Sequence, residues 1–170
     1  APARRRLAYD GLLASQLAVT LARAHQKRLP GRALAAPGRL RQRVLATLPF
    51  SLTGAQQRAL AEITADMAAP ARMLRLLQGD VGSGKTAVAL LAMLDAVEAG
   101  AQAALMAPTE LLARQHHATL TRLAAGTGVA ITLITGREKG RVREALLADL
   151  AAGETGIVVE YSSQLRVQLS

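Results

Sequence analysis

One stretch of eight residues has the composition and spacing of a phosphate-binding loop. Residues 79–86 read Gly-Asp-Val-Gly-Ser-Gly-Lys-Thr, which fits the pattern G-x-x-x-x-G-K-[ST]. The glycines allow the backbone to curl so that successive N–H groups point at one anion, and the following helix adds the positive end of its dipole. The alternative is a glycine-rich turn with a solvated lysine. An apolar run before the loop and a helical pattern after it favour phosphate binding.

The pattern assigns a role to each residue of this loop. Lys85 is expected to reach the β- and γ-phosphates of ATP, and the hydroxyl of Thr86 is expected to ligate Mg²⁺. Lys85 and Thr86 are therefore the candidate catalytic residues, and Thr86 is the candidate metal ligand. The full set predicted to bind the nucleotide in this loop is Gly79, Asp80, Val81, Gly82, Ser83, Gly84, Lys85 and Thr86.

A glutamine upstream of the loop has two possible roles. Thr53 and Gln56 form the pattern T-x-x-Q, a capping box that satisfies N–H groups at a helix start. Beside a phosphate loop, a glutamine amide can also recognise adenine, since it both donates and accepts hydrogen bonds. The two roles are compatible if Gln57 shares the work, and both stay open at this point.

A second helix start follows the loop at Pro108. This proline ends a predicted strand, and Thr109 is a good N-cap for the helix after it, which leaves N–H groups available to a phosphate. The alternative is an ordinary capped helix. The neighbouring His116 and His117 point about 100° apart on a helix, so they cannot share a metal and are expected to be surface or boundary residues.

The elements that position these residues alternate after residue 50. Apolar periodicity predicts helices over 54–68, 84–98, 109–124 and 140–152, and strands over 73–78, 102–107, 129–135 and 156–159. Helix 84–98 is apolar nearly all round, as expected of a helix packed inside a domain. Strands and helices that alternate at this spacing predict an α/β fold with a parallel sheet.

The first fifty residues differ in composition and charge. Leucines every fourth residue predict a helix over 7–28, followed by a linker over 30–39 and a short basic helix over 40–47. This part holds ten of the 21 Lys and Arg residues and one of the 12 acidic residues, whereas residues 51–170 hold eleven of each sign. The excess favours contact with a polyanion such as nucleic acid, although a solvated arginine-rich helix would look the same.

Composition excludes several classes of protein. Hydrophobic residues make up 51% of the chain and charged residues 19%, so it can bury a core. With no cysteine, the chain has no disulfide scaffold, thiol catalysis or cysteine-bound zinc. No run is apolar enough for a membrane span, and residues 1–10 lack a signal-peptide core, so we expect a cytoplasmic protein without membrane contact. The absence of an initiating Met suggests a piece of something longer.

Several segments together resemble the RecG family, bacterial ATP-dependent DNA helicases of superfamily two. They are Leu-Thr-Gly-Ala-Gln (52–56), Leu-Leu-Gln-Gly-Asp-Val-Gly-Ser-Gly-Lys-Thr (76–86), Met-Ala-Pro-Thr-Glu-Leu-Leu-Ala-Arg-Gln-His (106–116), Thr-Gly-Arg-Glu-Lys (135–139) and Ile-Val-Val (157–159). Residues 4–17 are similar to the helix that leads into the motor in that family. The resemblance implies a basic helical linker over 1–49 and part of a RecA-like P-loop NTPase lobe over 50–159. Residues 160–170 depart from the family pattern and are expected to form an atypical, loose tail, although Leu165, Val167 and Leu169 alternate as in a strand.

The resemblance also implies partners and further site residues. Gln56 and the nearby Phe50 would face adenine, while Pro108, Thr109, Glu110, Thr135 and Gly136 would face DNA. The parent enzyme would be a monomeric motor that reverses forks and branch-migrates Holliday junctions.

The chain departs from the family pattern because it has no Asp-Glu-x-His segment, and it also lacks a second motor lobe. We therefore expect the 170 residues alone to be inactive. The alternative is a basic nucleic-acid-binding module with an idle loop, and a small-molecule kinase is disfavoured because no lid or base is evident.

Overall fold

Five helices and four strands make up the described part of the chain. The structure is a computed structural model, and it describes residues 13, 16, 17, 20, 30–161 and 167–169. The helices are α1 (Arg39–Thr47), α2 (Gly54–Ala68), α3 (Lys85–Glu98), α4 (Glu110–Leu123) and α5 (Arg141–Ala151). The strands are β1 (Ala103–Ala107), β2 (Ile131–Ile134), β3 (Ile157–Tyr161) and β4 (Val167–Leu169). Most of the helix predicted over 7–28 lies outside the described residues, and no described helix is long and apolar enough to cross a membrane.

Three parallel strands confirm the predicted α/β fold. The order in the sheet is β2-β3-β1-β4, with Ile157 of β3 paired to Ala103 of β1 on one side and to Ile131 of β2 on the other. Because these three strands are parallel, their carboxyl ends lie at one edge of the sheet. The loops that follow β1 and β2 therefore emerge on the same side.

The prediction of a loose tail is wrong for residues 160, 161 and 167–169, and the prediction of a strand over 73–78 is wrong as well. Val167–Leu169 was expected to belong to a loose tail, but it forms β4 and pairs antiparallel with β1, Leu169 opposite Ala103. Residues 72–80 have no regular structure, and Leu74 and Leu76 are 60% and 76% exposed. A strand needs a neighbour for its N–H and C=O groups, and β4, not residues 73–78, pairs with the edge of β1 that β3 leaves free.

Helix α3 lies at the centre of the core. It packs against α1, α2, α4 and β1, and five of its large apolar residues are at most 1% exposed: Val88, Leu90, Leu91, Met93 and Leu94. This burial confirms the prediction drawn from its all-round apolar surface. The helix is thus held from several sides, which fixes the direction in which its first turn points.

The C-terminal half of α3 also binds α1 through polar contacts. Arg41 Nη1 donates to Asp95 Oδ2 at 2.5 Å and to Thr64 Oγ1 at 3.1 Å, so one guanidinium joins α1, α2 and α3. The Asp95 side chain is only 1% exposed. Burial raises the pKa of Asp95, and the charge of Arg41 and the Thr64 hydroxyl oppose that rise.

A second carboxylate of α3 caps α1. The Glu98 carboxylate accepts hydrogen bonds from the N–H groups of Arg39 and Leu40, at 3.0 and 3.3 Å. The N-cap of α1 is Gly38, which has no side chain to do this. In the segment predicted as a linker, Leu34 is buried and its N–H donates to Met67 O at 2.8 Å. Leu34 and α1 thus pack on α2 and α3, and the domain division near residue 50 stays a prediction.

The Arg41–Asp95 pair leads to a prediction about stability. We expect Arg41→Ala to lower the free energy of unfolding by about 3 kcal/mol at pH 7, because it leaves a buried carboxylate unpaired. Urea denaturation measures this. In a chain that also carries Asp95→Asn, the same Arg41→Ala change should cost clearly less, since no charge is then stranded. Equal costs in the two backgrounds would contradict the coupling.

The pH dependence of that loss follows from the raised pKa of Asp95. A carboxyl group whose pKa is higher in the folded state binds its proton more tightly there, so protonation of Asp95 favours folding. This contribution is present below the ordinary pKa of 3.8 and disappears as the pH rises through the folded-state value. The loss in free energy of unfolding caused by Arg41→Ala should therefore become smaller as the pH is lowered from 7 towards 4.

Candidate functional site

The glycine loop (residues 79–86) is curled around the ammonium group of its own lysine. Lys85 Nζ donates to Gly79 O at 2.7 Å and to Asp80 O at 2.6 Å, and it lies 3.3 Å from Ser83 Oγ. A turn closed by the Ser83 N–H and Asp80 O, at 3.1 Å, shapes the outer part of the loop. The loop therefore holds one positive charge at its centre, next to the start of α3.

The first turn of α3 has no side-chain cap. Its N-cap is Gly84, and no side chain accepts from its N–H groups, whereas Thr53 caps α2 and Thr109 caps α4. The first N–H groups of a helix have no partner within the helix, and the dipole makes this end positive. The start of α3 can therefore donate several hydrogen bonds to an anion, next to Lys85 and Thr86.

Gln56 joins α2 to the glycine loop. The capping box is confirmed: the Thr53 N–H donates to Gln56 Oε1 at 2.8 Å, and the Gln56 N–H donates to Thr53 Oγ1 at 3.3 Å. Gln56 Nε2 also donates to Ser83 O at 2.8 Å. One amide hydrogen and one lone pair of the side chain are left, so adenine recognition by Gln56 stays a prediction.

Two glycines of the loop have positive φ angles, and one of them also permits a close contact with α2. Gly82 and Gly84 have φ angles of 81° and 77°, a region that other residues rarely adopt. A Cβ at Gly84 would lie 2.4 Å from Gln56 Nε2, whereas a Cβ at Gly82 would meet nothing within 4 Å. Close contact between the loop and α2 therefore requires glycine at position 84 in particular.

Phe50 lies on the wall of a groove that is lined by both apolar and polar residues. The groove has a volume of about 990 Å³ and runs between α1 and α2, with Leu45, Leu48 and Leu60 among its lining residues. The Phe50 side chain is 46% exposed. An aromatic ring with a free face is able to stack on a base, but its predicted contact with adenine is not tested by this geometry.

The two strand-end loops (residues 108–110 after β1 and 135–140 after β2) meet at the carboxyl edge of the sheet. Thr109 accepts from the Leu112 N–H at 3.2 Å and so caps α4 as predicted. Glu110 Oε1 accepts a hydrogen bond from Arg114 Nη2 at 2.8 Å and forms an ion pair with Arg137, whose Nε lies 2.8 Å away. The ion pair with Arg137 links the two loops, so the structure brings the predicted DNA-facing residues together.

The second of these loops is closed by a carboxylate. The N–H and Oγ1 of the buried Thr135 donate to Glu138 Oε2 at 2.6 and 2.7 Å. These hydrogen bonds, that of the hydroxyl above all, lower the pKa of Glu138. Gly136 is exposed between the two residues. The loop is thus held from inside, with its outer backbone facing solvent.

Comparison with known proteins decides the family. The sequence model of the DEAD/DEAH box helicases matches residues 53–168, about two thirds of the chain. The chain belongs to the DEAD/DEAH box helicase family. This stretch contains the glycine loop and both strand-end loops. The RecA-like fold expected for the lobe is thereby confirmed.

The helicase chain is also similar to RecG proteins, which confirms the resemblance seen in the sequence. It is 46% identical over 158 residues to the ATP-dependent DNA helicase RecG of Escherichia coli (strain K12) and 48% identical over 158 residues to that of Bacillus subtilis (strain 168). These alignments cover 93% and 92% of the chain but only 23% of each relative. A solved structure of RecG bound to a three-way DNA junction matches with a TM-score of 0.82 and 40% identity, over 93% of this chain and 22% of that one.

Four basic residues near these loops were not recognised as a cluster in the sequence analysis. Arg137, Lys139, Arg141 and Arg143 alternate along the second loop and the start of α5, and the first three are exposed. The net charge of residues 51–170 is zero, and this average concealed the cluster. The alternation of basic residues over 137–143 is the signal that could have identified it.

The histidine pair lies away from these loops. A ring nitrogen of His117, Nε2, is 3.1 Å from Ile131 O. Across residues 30–161, no group of three or more His, Asp or Glu side chains is arranged to hold a metal ion. Thr86, the predicted Mg²⁺ ligand, is half-buried in the first turn of α3.

The two loop glycines permit a matched test of the contact with Gln56. Gly82→Ala and Gly84→Ala impose similar backbone strain, about 1 kcal/mol each. Gly84→Ala must also displace the Gln56 amide, so we expect it to cost about 1 kcal/mol more, the size of a lost hydrogen bond. Urea denaturation of the two variants measures the difference. The extra cost should vanish when Gln56→Ala is added, and a difference that persists would show that Gln56 is not its cause.

Proposed function

We propose that this chain is the ATP-binding lobe of a RecG-type DNA motor, in which ATP hydrolysis drives fork reversal and Holliday-junction branch migration. One observation carries the proposal: the uncapped first turn of α3 and the Lys85 ammonium group converge in a loop of helicase-family sequence. We assign the motor to the cytoplasm as a monomer.

The glycine loop fits a triphosphate. Lys85 now donates to carbonyl oxygens of its own loop, and a phosphate is a stronger acceptor for an ammonium group than a carbonyl. The N–H groups at the start of α3 need an acceptor from outside the helix. A Cβ at Gly84 would push Gln56 away and disturb this arrangement.

Individual residues then have the following roles. Lys85 binds and orients the terminal phosphates, and the N–H groups of the glycine loop hold the phosphate oxygens. Mg²⁺, when bound, would neutralise charge on the phosphates, and Thr86 is the residue that would hold it. Gln56, through its remaining amide hydrogen, and Phe50, through its free face, would contact adenine.

The strand-end loops are the proposed contact with DNA. Pro108, Thr109, Glu110, Thr135 and Gly136 lie at one edge of the sheet, where helix starts and exposed backbone N–H groups can hold phosphates. The cations of residues 137–143 add the positive charge that a polyanion requires. A RecG relative has been solved bound to a three-way DNA junction, which supports branched DNA as the substrate class.

Binding of a fluorescent ATP analogue in the presence of Mg²⁺ tests the nucleotide site. Binding is the appropriate measurement, because the 170 residues contain no Asp-Glu-x-His segment. We expect Lys85→Ala to weaken binding about tenfold or more, since it removes charge-assisted hydrogen bonds to phosphate. Lys139→Ala removes the same charge from an exposed position and should leave the affinity unchanged. Equal binding by the parent chain and Lys85→Ala would exclude this site.

A second function is favoured by the charge of the first fifty residues: a basic module that binds DNA through this segment, with the glycine loop idle. Removing residues 1–48 would also remove α1, which packs on α3, so substitution is the cleaner test. If the module hypothesis holds, replacing Arg4, Arg5 and Arg6 by Gln should lower the slope of log affinity against log salt by about 2 to 3. A slope that is unchanged would leave the strand-end loops as the main DNA contact.

A further inference from the structure

We propose that Arg137 binds a DNA phosphate and that the carboxylate of Glu110 holds it in the absence of DNA, so that phosphate and carboxylate compete for one guanidinium group. The inference rests on the proposed DNA contact of the strand-end loops and assigns a regulatory contact within it. It also changes the role of Glu110, from a residue that faces DNA to a residue that controls an arginine.

The geometry places both partners in the required positions. Glu110 Oε1 receives Arg137 Nε and Arg114 Nη2 at 2.8 Å each, so two guanidinium groups share one carboxylate oxygen. The side chain of Arg137 is 75% exposed, whereas that of Glu110 is 29% exposed. The arginine is therefore free to turn outwards, and the carboxylate stays in the junction between the loops.

Glu110 is poorly suited to bind DNA itself. An ionised carboxylate accepts hydrogen bonds and cannot donate them, and it repels a phosphate. It is the first residue of α4, beside the N–H groups that are proposed to hold a DNA phosphate. The pairing with Arg114 and Arg137 offsets that negative charge, and a guanidinium freed from Glu110 would lie close to the approaching strand.

The carboxylate of Glu138 already accepts hydrogen bonds from another residue of its own loop. Glu138, next to Arg137 in sequence, accepts from the N–H and hydroxyl of Thr135. Glu110 is therefore the carboxylate that holds Arg137, and the exposed Lys139 and Arg141 beside it leave the rim positively charged. A rim of this kind attracts a polyanion and would bring phosphate oxygens to Arg137.

Exchange of the carboxylate for a phosphate is energetically reasonable. Exposed ion pairs contribute little to stability, so releasing Arg137 costs little. A guanidinium group can bind a phosphate through two parallel hydrogen bonds, whereas Arg137 and Glu110 form an ion pair at 2.8 Å. A DNA backbone phosphate can therefore displace the carboxylate.

A double-mutant cycle on the 170-residue chain tests the competition. The variants are Arg137→Gln, Glu110→Gln and both together, with affinity for a labelled branched DNA measured over a range of salt. Arg137→Gln should weaken binding and lower the salt slope by about one, as expected for one lost phosphate contact. Glu110→Gln should tighten binding by up to about fivefold, the size of an exposed ion pair. In a chain that already carries Arg137→Gln, that gain should largely disappear.

Two matched variants control for general changes in charge. Arg122→Gln removes an exposed arginine from the last turn of α4, and Glu144→Gln removes an exposed carboxylate from the first turn of α5. Both should change the affinity less than the changes at 137 and 110, and Glu144→Gln should act equally with and without Arg137→Gln. Circular dichroism confirms that each variant is folded.

The outcomes separate this inference from the proposed function. If the parent chain binds DNA and Arg137→Gln leaves affinity and salt slope unchanged, the phosphate contact of Arg137 is excluded while the DNA-binding role survives. If Glu110→Gln has the same effect in both backgrounds, the two residues do not compete and the inference fails. If the parent chain binds no DNA at any salt concentration, the DNA part of the proposed function fails with it.

Discussion

The burial of α3 is the constraint on which the rest of the structure depends. A helix that is apolar on almost every side has no face to present to water, so it must be enclosed. Here α1, α2, α4 and β1 enclose it. Its N-terminus then lies at a fixed place, where the glycine loop begins the helix and Gly84 leaves the first N–H groups without a side-chain cap.

The same helix connects the glycine loop with the residues before position 50. Its last turns supply Asp95 to Arg41 and Glu98 to the start of α1. A buried carboxylate is costly unless it is paired, so the contact of Asp95 depends strongly on Arg41. One rigid element thus links the proposed nucleotide site to the segment with the greatest excess of positive charge.

Polar side chains organise the loops by forming hydrogen bonds with some backbone groups, while other N–H groups and one arginine remain available to a ligand. Gln56 caps α2 and holds Ser83, Thr109 caps α4, and Glu138 closes the loop after β2. By contrast, the start of α3 is left without a side-chain cap, and the exposed Arg137 is held by the half-buried carboxylate of Glu110. The N–H groups at the start of α3 and the guanidinium group of Arg137 are the groups that a phosphate can bind. They lie at the sites where the helicase-family sequence predicts contacts with the nucleotide and with DNA.

The helices, the glycine loop and the family could be read from the sequence because their signals are local. Apolar periodicity, the capping box of Thr53 and Gln56 and the glycine spacing all act within a few residues, and the observed helix bounds agree with them. The strand order, strand β4 and the ion pairs required the tertiary structure. An apolar segment becomes a strand only if another strand pairs with it, and here β4, not residues 73–78, pairs with the outer edge of β1. Likewise, the ion pairs of Arg41 with Asp95 and of Arg137 with Glu110 join residues that are far apart in the chain. The local sequence around each residue does not indicate which distant residue is its partner.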